Sequence, residues 1–481
     1  MRALWVVVLL ALLLAALLVQ PIYQPDFWWH VKMGELVLER GRVPDADLFS
    51  YTVPGKPFIY QSWLSGVSFA LLYHAGGGTL IVLGNALFLL AAYALLLWHC
   101  RVEGRNTRLA VGATFLALVV SAGNWAVRPQ TFSVLLFVAL YIILDRYRQG
   151  KRSPLWAVPL AMALWANLHG AFITGFLLLG ATIGGEVLKR WLPGRPFPVL
   201  SWARVGWLTL TAVFSVGAIL LNPVGPGILR YVLNIWSNPA IRGFIAEWQP
   251  TGTEMGTSLI FLGSLIAYLL ILNLRRRYPD PTDLFLLLAT AWLALGGVRN
   301  LMWYGLVLAP LLARALAGRE EPPDPIPNPV LNGLLIALVM VIVVLATPWV
   351  KGILPLPTNL RGTLAADTPV ATAEVVHEQG LNGRVFHQME SGGYLAWRLW
   401  PETQVFIDSR IELYTGEVWQ DYLQISAGRP GYQELLDRYD VQFLVLNRSF
   451  QGGLLQQLQD SSVWVWVYEN PEEDTVVYRR R

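Results

Sequence analysis

"MRALWVVVLLALLLAALLVQ", residues 1–20, opens the chain with an apolar run long enough to cross a bilayer. One arginine precedes the run, and no clear small-x-small cleavage site follows it. We therefore interpret it as an uncleaved signal anchor rather than a cleaved signal peptide. With either interpretation, we expect the residues after Gln20 to lie outside the cytoplasm.

The composition is that of a membrane protein. The 481 residues are 55% hydrophobic and 14% charged, with a mean hydropathy of +0.47, whereas soluble domains carry about 25% charged residues. The net charge is +4, and the arginines lie largely in short loops between apolar runs, which indicates membrane topology rather than nucleic-acid binding. A single cysteine, Cys100, excludes an intrachain disulfide and a CxxC site.

Hydropathy predicts about eleven spanning helices. The segment 61–74 is too short to span comfortably and is predicted to be an interfacial or re-entrant helix. The predicted spans lie near 3–20, 78–100, 109–126, 129–145, 154–168, 171–188, 205–221, 257–274, 283–298, 301–317 and 330–348.

Basic residues fall on alternate loops, as in "RRR" at 275–277. The positive-inside rule makes these loops cytoplasmic and predicts an N-in, C-out chain. The long first loop 21–77 and everything after about 349 then lie outside the cytoplasm.

The tail 350–481 is polar and contains no spanning run. Short apolar strands such as "QVFID" at 404–408 alternate with helical stretches such as 417–426, and a strand pair is predicted at 463–468 and 474–479. We predict a transmembrane domain over 1–349, including the long first loop, and an extracytoplasmic α/β domain over 350–481.

The first loop contains "DFWWHVKMGELVLER", residues 26–40, which predicts a helix from about 27 to 40. We expect its apolar side to lie on the membrane and to hold Asp26 near the surface. A carboxylate there is suited to act as a general base or to bind a divalent metal. The alternative is that Asp26 simply caps the helix.

Two arginines, Arg128 in "VRPQ" and Arg299 in "GVRN", lie at corners predicted to face outward. The planar guanidinium of arginine can donate two hydrogen bonds to one phosphate group, so we expect a lipid phosphate as the partner of these arginines. The alternative is that their side chains snorkel to the membrane interface. His169 lies at a third such corner and is a further candidate for the substrate site.

A second acidic or metal element is a further hypothesis, although the spacing matches no recognised ligand pattern. Its candidate residues are His30, Asp45, Asp47 and Glu247. For Glu247 a structural salt bridge is the favoured interpretation.

In the tail, Asp408 and Arg410 follow a predicted strand, where ligands often bind in α/β sheets. The favoured alternative is a salt bridge that ties the tail to the membrane domain. Walker, GxSxG, HExxH and Rossmann motifs do not occur in the chain, which argues against a soluble nucleotide donor.

These features together resemble the GT-C class of polytopic glycosyltransferases. The resemblance rests on Asp26 with "FWWHVKMGELVLERGRVP" (27–44), the 61–74 helix and the outward tail. Segments such as "WANLHGAF" and "VFIDSRIELY" also resemble a broad group of bacterial multi-span proteins of unassigned role. Many GT-C enzymes carry two adjacent acids in the first loop, whereas Phe27 follows Asp26 here, and a WWDYG-type tail motif is absent.

The resemblance implies a bacterial inner-membrane enzyme that moves a sugar from a polyprenyl-phosphate or polyprenyl-diphosphate donor to a glycan, lipid or protein acceptor on the outer face. Asp26 would activate the acceptor, while Arg128, Arg299 and Lys32 would hold donor phosphate. The cofactor would be a divalent metal, Mg²⁺ or Mn²⁺, if one is used.

Two other hypotheses stay open at this point. The chain could move or hold a lipid-linked glycan, or serve as a subunit of a cell-envelope assembly system, without catalysis; or it could be a GT-C-like scaffold whose tail binds a glycan or a partner protein. Membrane lipids are partners in all three hypotheses, and nucleic acid is a partner in none.

Overall fold

The computed structural model describes residues 2–23, 25–192, 197–237, 246–252, 256–318 and 328–481. The chain divides into two compact units. The first, called the helical unit, contains residues 1–20, 82–230 and 242–351; the second, called the loop–tail unit, contains residues 21–81, 231–241 and 352–481. The long first loop therefore belongs to the same unit as the tail, while the domain boundary predicted near 350 stays a prediction.

Helices account for most of the chain before the tail. In chain order they are α1 (Arg2–Val19), α2 (Pro25–Arg40), α3 (Trp63–Gly104), α4 (Thr107–Ser121), α5 (Gln130–Arg148), α6 (Ala157–Leu168), α7 (Ile173–Leu188), α8 (Trp202–Ile219), α9 (Gly227–Ser237), α10 (Gly256–Leu274), α11 (Pro281–Gly296), α12 (Leu301–Leu316), α13 (Pro329–Ala346) and α14 (Pro348–Lys351).

Each of the eleven predicted spans coincides with one of these helices. Within the described ranges, seven helical segments are long and apolar enough to cross a membrane. The count of eleven spans and the N-in, C-out orientation stay predictions. The seven are Arg2–Val19, Trp63–Gly104, Thr107–Asn124, Gln130–Arg148, Gly170–Leu188, Trp202–Ile219 and Pro329–Ala346.

Helix α12 is central to the helical unit, and nearly all of its side chains are buried. Small residues let it approach its neighbours closely, as is usual between membrane helices. A β carbon on Gly305 would lie 3.3 Å from the carbonyl oxygen of Ala117 in α4, and one on Gly104 would lie 3.2 Å from Ala313.

Helix α3 breaks at Gly76 and Gly77, where the backbone is not helical. Gly77 has φ 59°, a conformation that favours glycine because it has no β carbon. The predicted short helix at 61–74 is thus a separate segment from the apolar stretch that follows it. Its interfacial position stays a prediction.

The tail forms a five-stranded mixed sheet in the order β2-β1-β3-β5-β4. Strand β1 pairs in parallel with β2 and β3, while β5 pairs antiparallel with β3 and β4. The strand pair predicted at 463–468 and 474–479 is present, whereas the strand predicted at 404–408 ends at Val405. The bounds are β1 Gly383–His387, β2 Thr403–Val405, β3 Phe443–Asn447, β4 Trp464–Asn470 and β5 Thr475–Arg480.

Six helices surround the strands of the tail, and the helix predicted at 417–426 is present. In chain order they are α15 (Thr358–Arg361), α16 (Val370–Glu378), α17 (Met389–Leu399), α18 (Gly416–Ser426), α19 (Tyr432–Arg438) and α20 (Gly452–Leu458).

The first loop covers the β2 edge of the sheet. Ser50 forms a parallel bridge with Val405. The Val405 N–H donates to the carbonyl oxygen of Phe49 at 3.0 Å, and the Tyr51 N–H donates to that of Val405 at 3.2 Å. This pairing satisfies backbone groups that an edge strand would otherwise expose.

Candidate functional site

Helix α2 carries Asp26 in its first turn, directly after Pro25. Its aromatic side chains Phe27, Trp28 and Trp29 are at most 7% exposed, and the Trp28 ring lies 4.7 Å from that of Trp397 in α17. The prediction that the apolar side of α2 lies on the membrane is wrong, because aromatic rings of the protein itself cover it.

Glycines allow α2 to sit this closely against its neighbours. A β carbon on Gly393 of α17 would lie 2.3 Å from the carbonyl oxygen of Pro25, and one on Gly34 would lie 2.1 Å from that of Gly66 in α3. Real β carbons do not approach so closely, so these contacts require glycine. These close contacts fix the position of the backbone at Asp26.

The loop 408–412, which follows β2, runs beside the first turn of α2. Asp26 and Trp29 are three residues apart and therefore share a helix face. The Trp29 indole N–H donates to Ser409 Oγ at 3.0 Å. The loop is therefore held against the face that carries Asp26.

Arg410 is the buried centre of this loop, with 1% exposure. Its Nη2 lies 2.6 Å from Asp408 Oδ2 and 2.6 Å from Asp47 Oδ1. The rings of Phe49 and Phe58 lie 5.0 and 5.2 Å from the guanidinium, within the range of cation–π attraction. Asp408 and Arg410 thus form an ion triad with Asp47, which joins the tail to the first loop.

Glu412 is a site candidate that the sequence did not reveal. It lies in "RIELY", two residues after Arg410. Burial raises the pKa of its carboxyl to about 7, and the negative charge of Asp26 contributes to this rise. Two carboxyl groups therefore lie close enough to interact at this end of α2, and one of them changes charge near neutral pH.

Lys32 lies one to two turns further along α2. Its Nζ is 3.6 Å from Glu35 Oε2 and 5.4 Å from the centre of the Trp400 ring. His74 Nε2 lies 3.1 Å from Glu35 Oε1. Lys32 is thus already paired with Glu35, which also interacts with His74.

His30 and Asp45 are placed differently from the metal element that the sequence suggested. His30 Nδ1 lies 2.9 Å from Tyr60 Oη, and its ring stacks on Trp29 at 3.8 Å. Asp45 is exposed, and Asp47 binds Arg410. These three side chains do not assemble into a metal site.

The helical unit contains the other predicted residues. Arg128 forms a bidentate ion pair with Glu247, with both N···O distances 2.6 Å. Burial opposes the charged form of Glu247, but the hydrogen bonds and charge of Arg128 outweigh it and lower the pKa. The interpretation of Glu247 as a salt-bridge partner agrees with this geometry.

Arg299 lies in the same cluster. Its guanidinium carbon is 4.5 Å from the centre of the Trp248 ring, and its Nη2 donates to Gln130 Oε1 at 3.5 Å. The stacked indole fixes the plane of the guanidinium, which suits an arginine that recognises an anion.

His169 is held as a neutral imidazole. Its Nδ1 lies 2.9 Å from Ser133 Oγ and accepts the Ala171 N–H at 3.3 Å, so the ring proton belongs on Nε2. Burial lowers the pKa of His169 to about 3, and the charges of Arg299 and Arg128 lower it further. His169 can therefore donate a hydrogen bond without adding charge.

The three predicted residues Arg128, Arg299 and His169 are thus brought together, with Glu247 among them. Two arginines and one glutamate leave one positive charge in excess. Arg128 and Glu247 keep 17% and 33% of their side-chain surface exposed. The cluster is suited to a singly charged anion such as a phosphodiester.

The described residues contain one group of three side chains with metal-binding spacing, and it was not predicted. It consists of His99, Glu103 and Asp145. Arg314 lies 2.8 Å from Asp145 and 3.0 Å from Glu103, and Arg148 lies 2.7 Å from Asp145. Arginines already neutralise both carboxylates, so the group does not fit a metal.

No family model matches the sequence, and no curated protein matches it. Solved structures, however, do match this chain. ArnT from Cupriavidus metallidurans bound to undecaprenyl phosphate matches with a TM-score of 0.54 at 14% identity, over 99% of this chain and 97% of that one. The oligosaccharyltransferase of Archaeoglobus fulgidus in the apo form matches with a TM-score of 0.53 at 12% identity, over 95% of this chain and 73% of that one.

This chain has a GT-C-like fold. The arabinofuranosyltransferase AftD from Mycobacteria is a further match, with a TM-score of 0.50 at 15% identity, over 100% of this chain and 40% of that one. All three are membrane glycosyltransferases of the GT-C class. The predicted GT-C resemblance is therefore confirmed for the fold.

Proposed function

We propose that this protein is an integral-membrane glycosyltransferase that moves a sugar from a polyprenyl-phosphate carrier to an acceptor on the extracytoplasmic face. The observation that carries the proposal is the end-to-end match of this GT-C-like chain to ArnT bound to undecaprenyl phosphate. The paired acids of α2 and the 408–412 loop, and the cationic cluster of the helical unit, support it independently.

In the proposed reaction, an acceptor hydroxyl oxygen attacks the anomeric carbon of the carrier-linked sugar. The bond from this carbon to the phosphate oxygen breaks, and the polyprenyl phosphate leaves with the electron pair. Asp26 takes the hydroxyl proton as general base. A single displacement of this kind inverts the anomeric centre.

Glu412 has a proposed role beside Asp26. A group whose pKa is near 7 exchanges protons readily at neutral pH. We assign to Glu412 the reception of the proton from Asp26 and its release to solvent. The raised pKa of Glu412 and its interaction with the Asp26 charge support this role.

The donor phosphate is assigned to the cluster of the helical unit. Arg299 would hold it through its stacked guanidinium, and the neutral His169 would donate a further hydrogen bond. Arg128 is engaged by Glu247 and would position the cluster. Lys32 is engaged by Glu35, so we do not include it among the phosphate ligands.

The test is binding of undecaprenyl phosphate to the full chain in lipid nanodiscs, for wild type, Arg299→Ala and Asp26→Asn. We expect Arg299→Ala to weaken binding about 10-fold or more, the usual effect of losing a hydrogen bond to a charged group. Asp26→Asn should leave binding unchanged. Arg190→Ala is the matched control, because Arg190 also stacks on a tryptophan, Trp202, at 3.9 Å.

Sugar transfer is then measured with undecaprenyl-phosphate-linked sugars. Asp26→Asn should reduce the rate by roughly 10²–10⁴-fold, as expected for loss of a general base. No binding by wild type, or equal binding by Arg299→Ala and Arg190→Ala, would overturn the donor assignment. Binding without any transfer by wild type would favour the scaffold hypothesis.

A further inference from the structure

A groove of about 550 Å³ lies between α16 and α17 in the loop–tail unit. The groove is open to solvent rather than enclosed, so it suits a ligand that lies along the surface. Its lining differs from that of both sites described above, since it includes neither Asp26 nor Glu412. The lining combines aromatic, charged and small apolar side chains, among them Tyr394, Trp397, Arg398, Glu374, Glu473 and Val370.

Two aromatic residues of α17 form one wall. Tyr394 and Trp397 are three residues apart and share a helix face, with ring centres 5.6 Å apart. The Trp397 indole N–H donates to Glu35 Oε1 at 3.1 Å, and Trp28 packs on both rings at 4.7 to 4.8 Å. The wall is therefore fixed in place before any ligand binds.

The hydroxyl of Tyr394 points to a polar ligand. The side chain is 5% exposed, yet no hydrogen bond joins its hydroxyl to any described residue. Tyr394 lines the groove together with Arg398, Glu374 and Glu473. The hydroxyl is not one of the buried polar atoms that lack a partner, so it is accessible from the groove and free to bond a polar ligand there.

Charged groups form the opposite rim. Arg398 Nη2 donates to Glu374 Oε2 at 2.6 Å, with 34% and 49% of these side chains exposed. Glu473 is buried and accepts hydrogen bonds from the Ala371 and Thr372 N–H groups, which cap α16. The rim therefore offers both a planar donor and carboxylate acceptors next to the aromatic wall.

We propose that this groove binds a carbohydrate and holds the glycan acceptor of the enzyme. Sugars present apolar C–H faces that suit aromatic rings and hydroxyl edges that both donate and accept hydrogen bonds. A lipid chain would leave the Tyr394 hydroxyl unpaired, and a polyanion would meet a net negative rim. The acceptor role rests on the proposed function, while carbohydrate binding itself does not.

The test titrates the full chain in nanodiscs with maltopentaose, cellopentaose, chitopentaose and arabinopentaose, followed by calorimetry and tryptophan fluorescence. We expect at least one to bind with a Kd of about 1 mM or tighter. Tyr394→Phe, which removes only the hydroxyl, and Glu374→Ala, an exposed position, should each weaken that binding by roughly 3–10-fold. Glu469→Ala removes an exposed ion pair with Arg448 in the same unit and is the matched control.

Two results would overturn the proposal: no binding of any of the four sugars at about ten times that concentration, or equal binding by wild type, Tyr394→Phe and Glu374→Ala. Failure of the proposed function gives a different result. In that case the sugars bind and respond to the groove variants, but undecaprenyl phosphate does not bind.

Discussion

At the scale of single residues, the chemistry of this protein depends on how buried charges are paired. Arg410 lies between Asp408 and Asp47, and Arg128 is matched by Glu247. Glu412 differs, because burial raises its pKa and no described residue forms a salt bridge with it. A carboxyl with a raised pKa and no salt bridge often marks a functional site.

Replacing Glu412 by Gln should change how stability depends on pH. In the folded protein the pKa of Glu412 is about 7, above its ordinary value of 4.5. Between pH 4.5 and pH 7, Glu412 therefore keeps its proton in the folded state but loses it in the unfolded state. The wild type therefore loses stability as pH rises from 4.5 through 7. Because Gln does not ionise, Glu412→Gln should gain stability relative to wild type at pH 8, by up to about 3 kcal/mol.

The measurement compares thermal unfolding in detergent at pH 5 and pH 8. The difference between variant and wild type should be small at pH 5 and clear at pH 8. Glu417→Gln, with a side chain 78% exposed, is the control and should show no such change. A variant effect that is equal at both pH values would contradict the raised pKa.

Arg410→Met should destabilise the protein by roughly 3–5 kcal/mol, because it leaves Asp47 and Asp408 buried without their partner. Thermal unfolding in detergent checks this. Arg448→Met is the control: it removes an exposed pair with Glu469, so its expected cost is about 0–1 kcal/mol. Similar melting temperatures for the two variants would show that the triad contributes little.

At the scale of secondary-structure elements, the position of helix α2 was predicted correctly, but the surroundings of its apolar face were not. The helix lies where its pattern placed it, at Pro25–Arg40. Its aromatic side chains pack against α3 and α17, as in the contact of Phe27 with Phe69 at 5.4 Å, rather than facing lipid. Amphipathicity shows that one face is buried but not what buries it.

Gly393→Ala should separate α17 from the first turn of α2. The added β carbon would meet the carbonyl oxygen of Pro25 at 2.3 Å, and overpacking of this kind typically costs about 1–3 kcal/mol. Gly416→Ala is the control in the same unit, since nothing lies within 4 Å of its β-carbon position. Lower melting of Gly393→Ala alone is expected; equal melting of the two would refute the close contact.

At the scale of the whole molecule, the GT-C-like fold is established from the solved structures, while orientation in the membrane is a prediction of the sequence. The first loop and the tail form one unit, so both should be on the same side of the membrane. The charge distribution predicts that this side is outside the cytoplasm.

Cysteine labelling tests this orientation. Asp45→Cys in the first loop should react with a membrane-impermeant maleimide in intact cells, whereas Arg152→Cys should react only after lysis; both positions are exposed. The native Cys100 is buried, so the wild type should give little background. Labelling of Arg152→Cys in intact cells would reverse the proposed topology.

The sequence by itself determined the helices, the strands of the tail, and the cationic corners. These features depend on local periodicity and composition, which neighbouring residues encode. It also identified Arg128 and Arg299 as a pair of interest, because arginines at the ends of apolar helices require partners.

Only the tertiary structure decided which groups meet. Trp29 and Ser409 are 380 residues apart in the chain, and Asp26 and Glu412, whose carboxyl groups interact, are separated by a similar length of chain. Likewise, Glu247 forms its ion pair with Arg128, which lies 119 residues earlier in the chain. Contacts of this kind arise from packing between distant segments, which no local pattern encodes, and they set the charges and proton affinities on which the proposed chemistry depends.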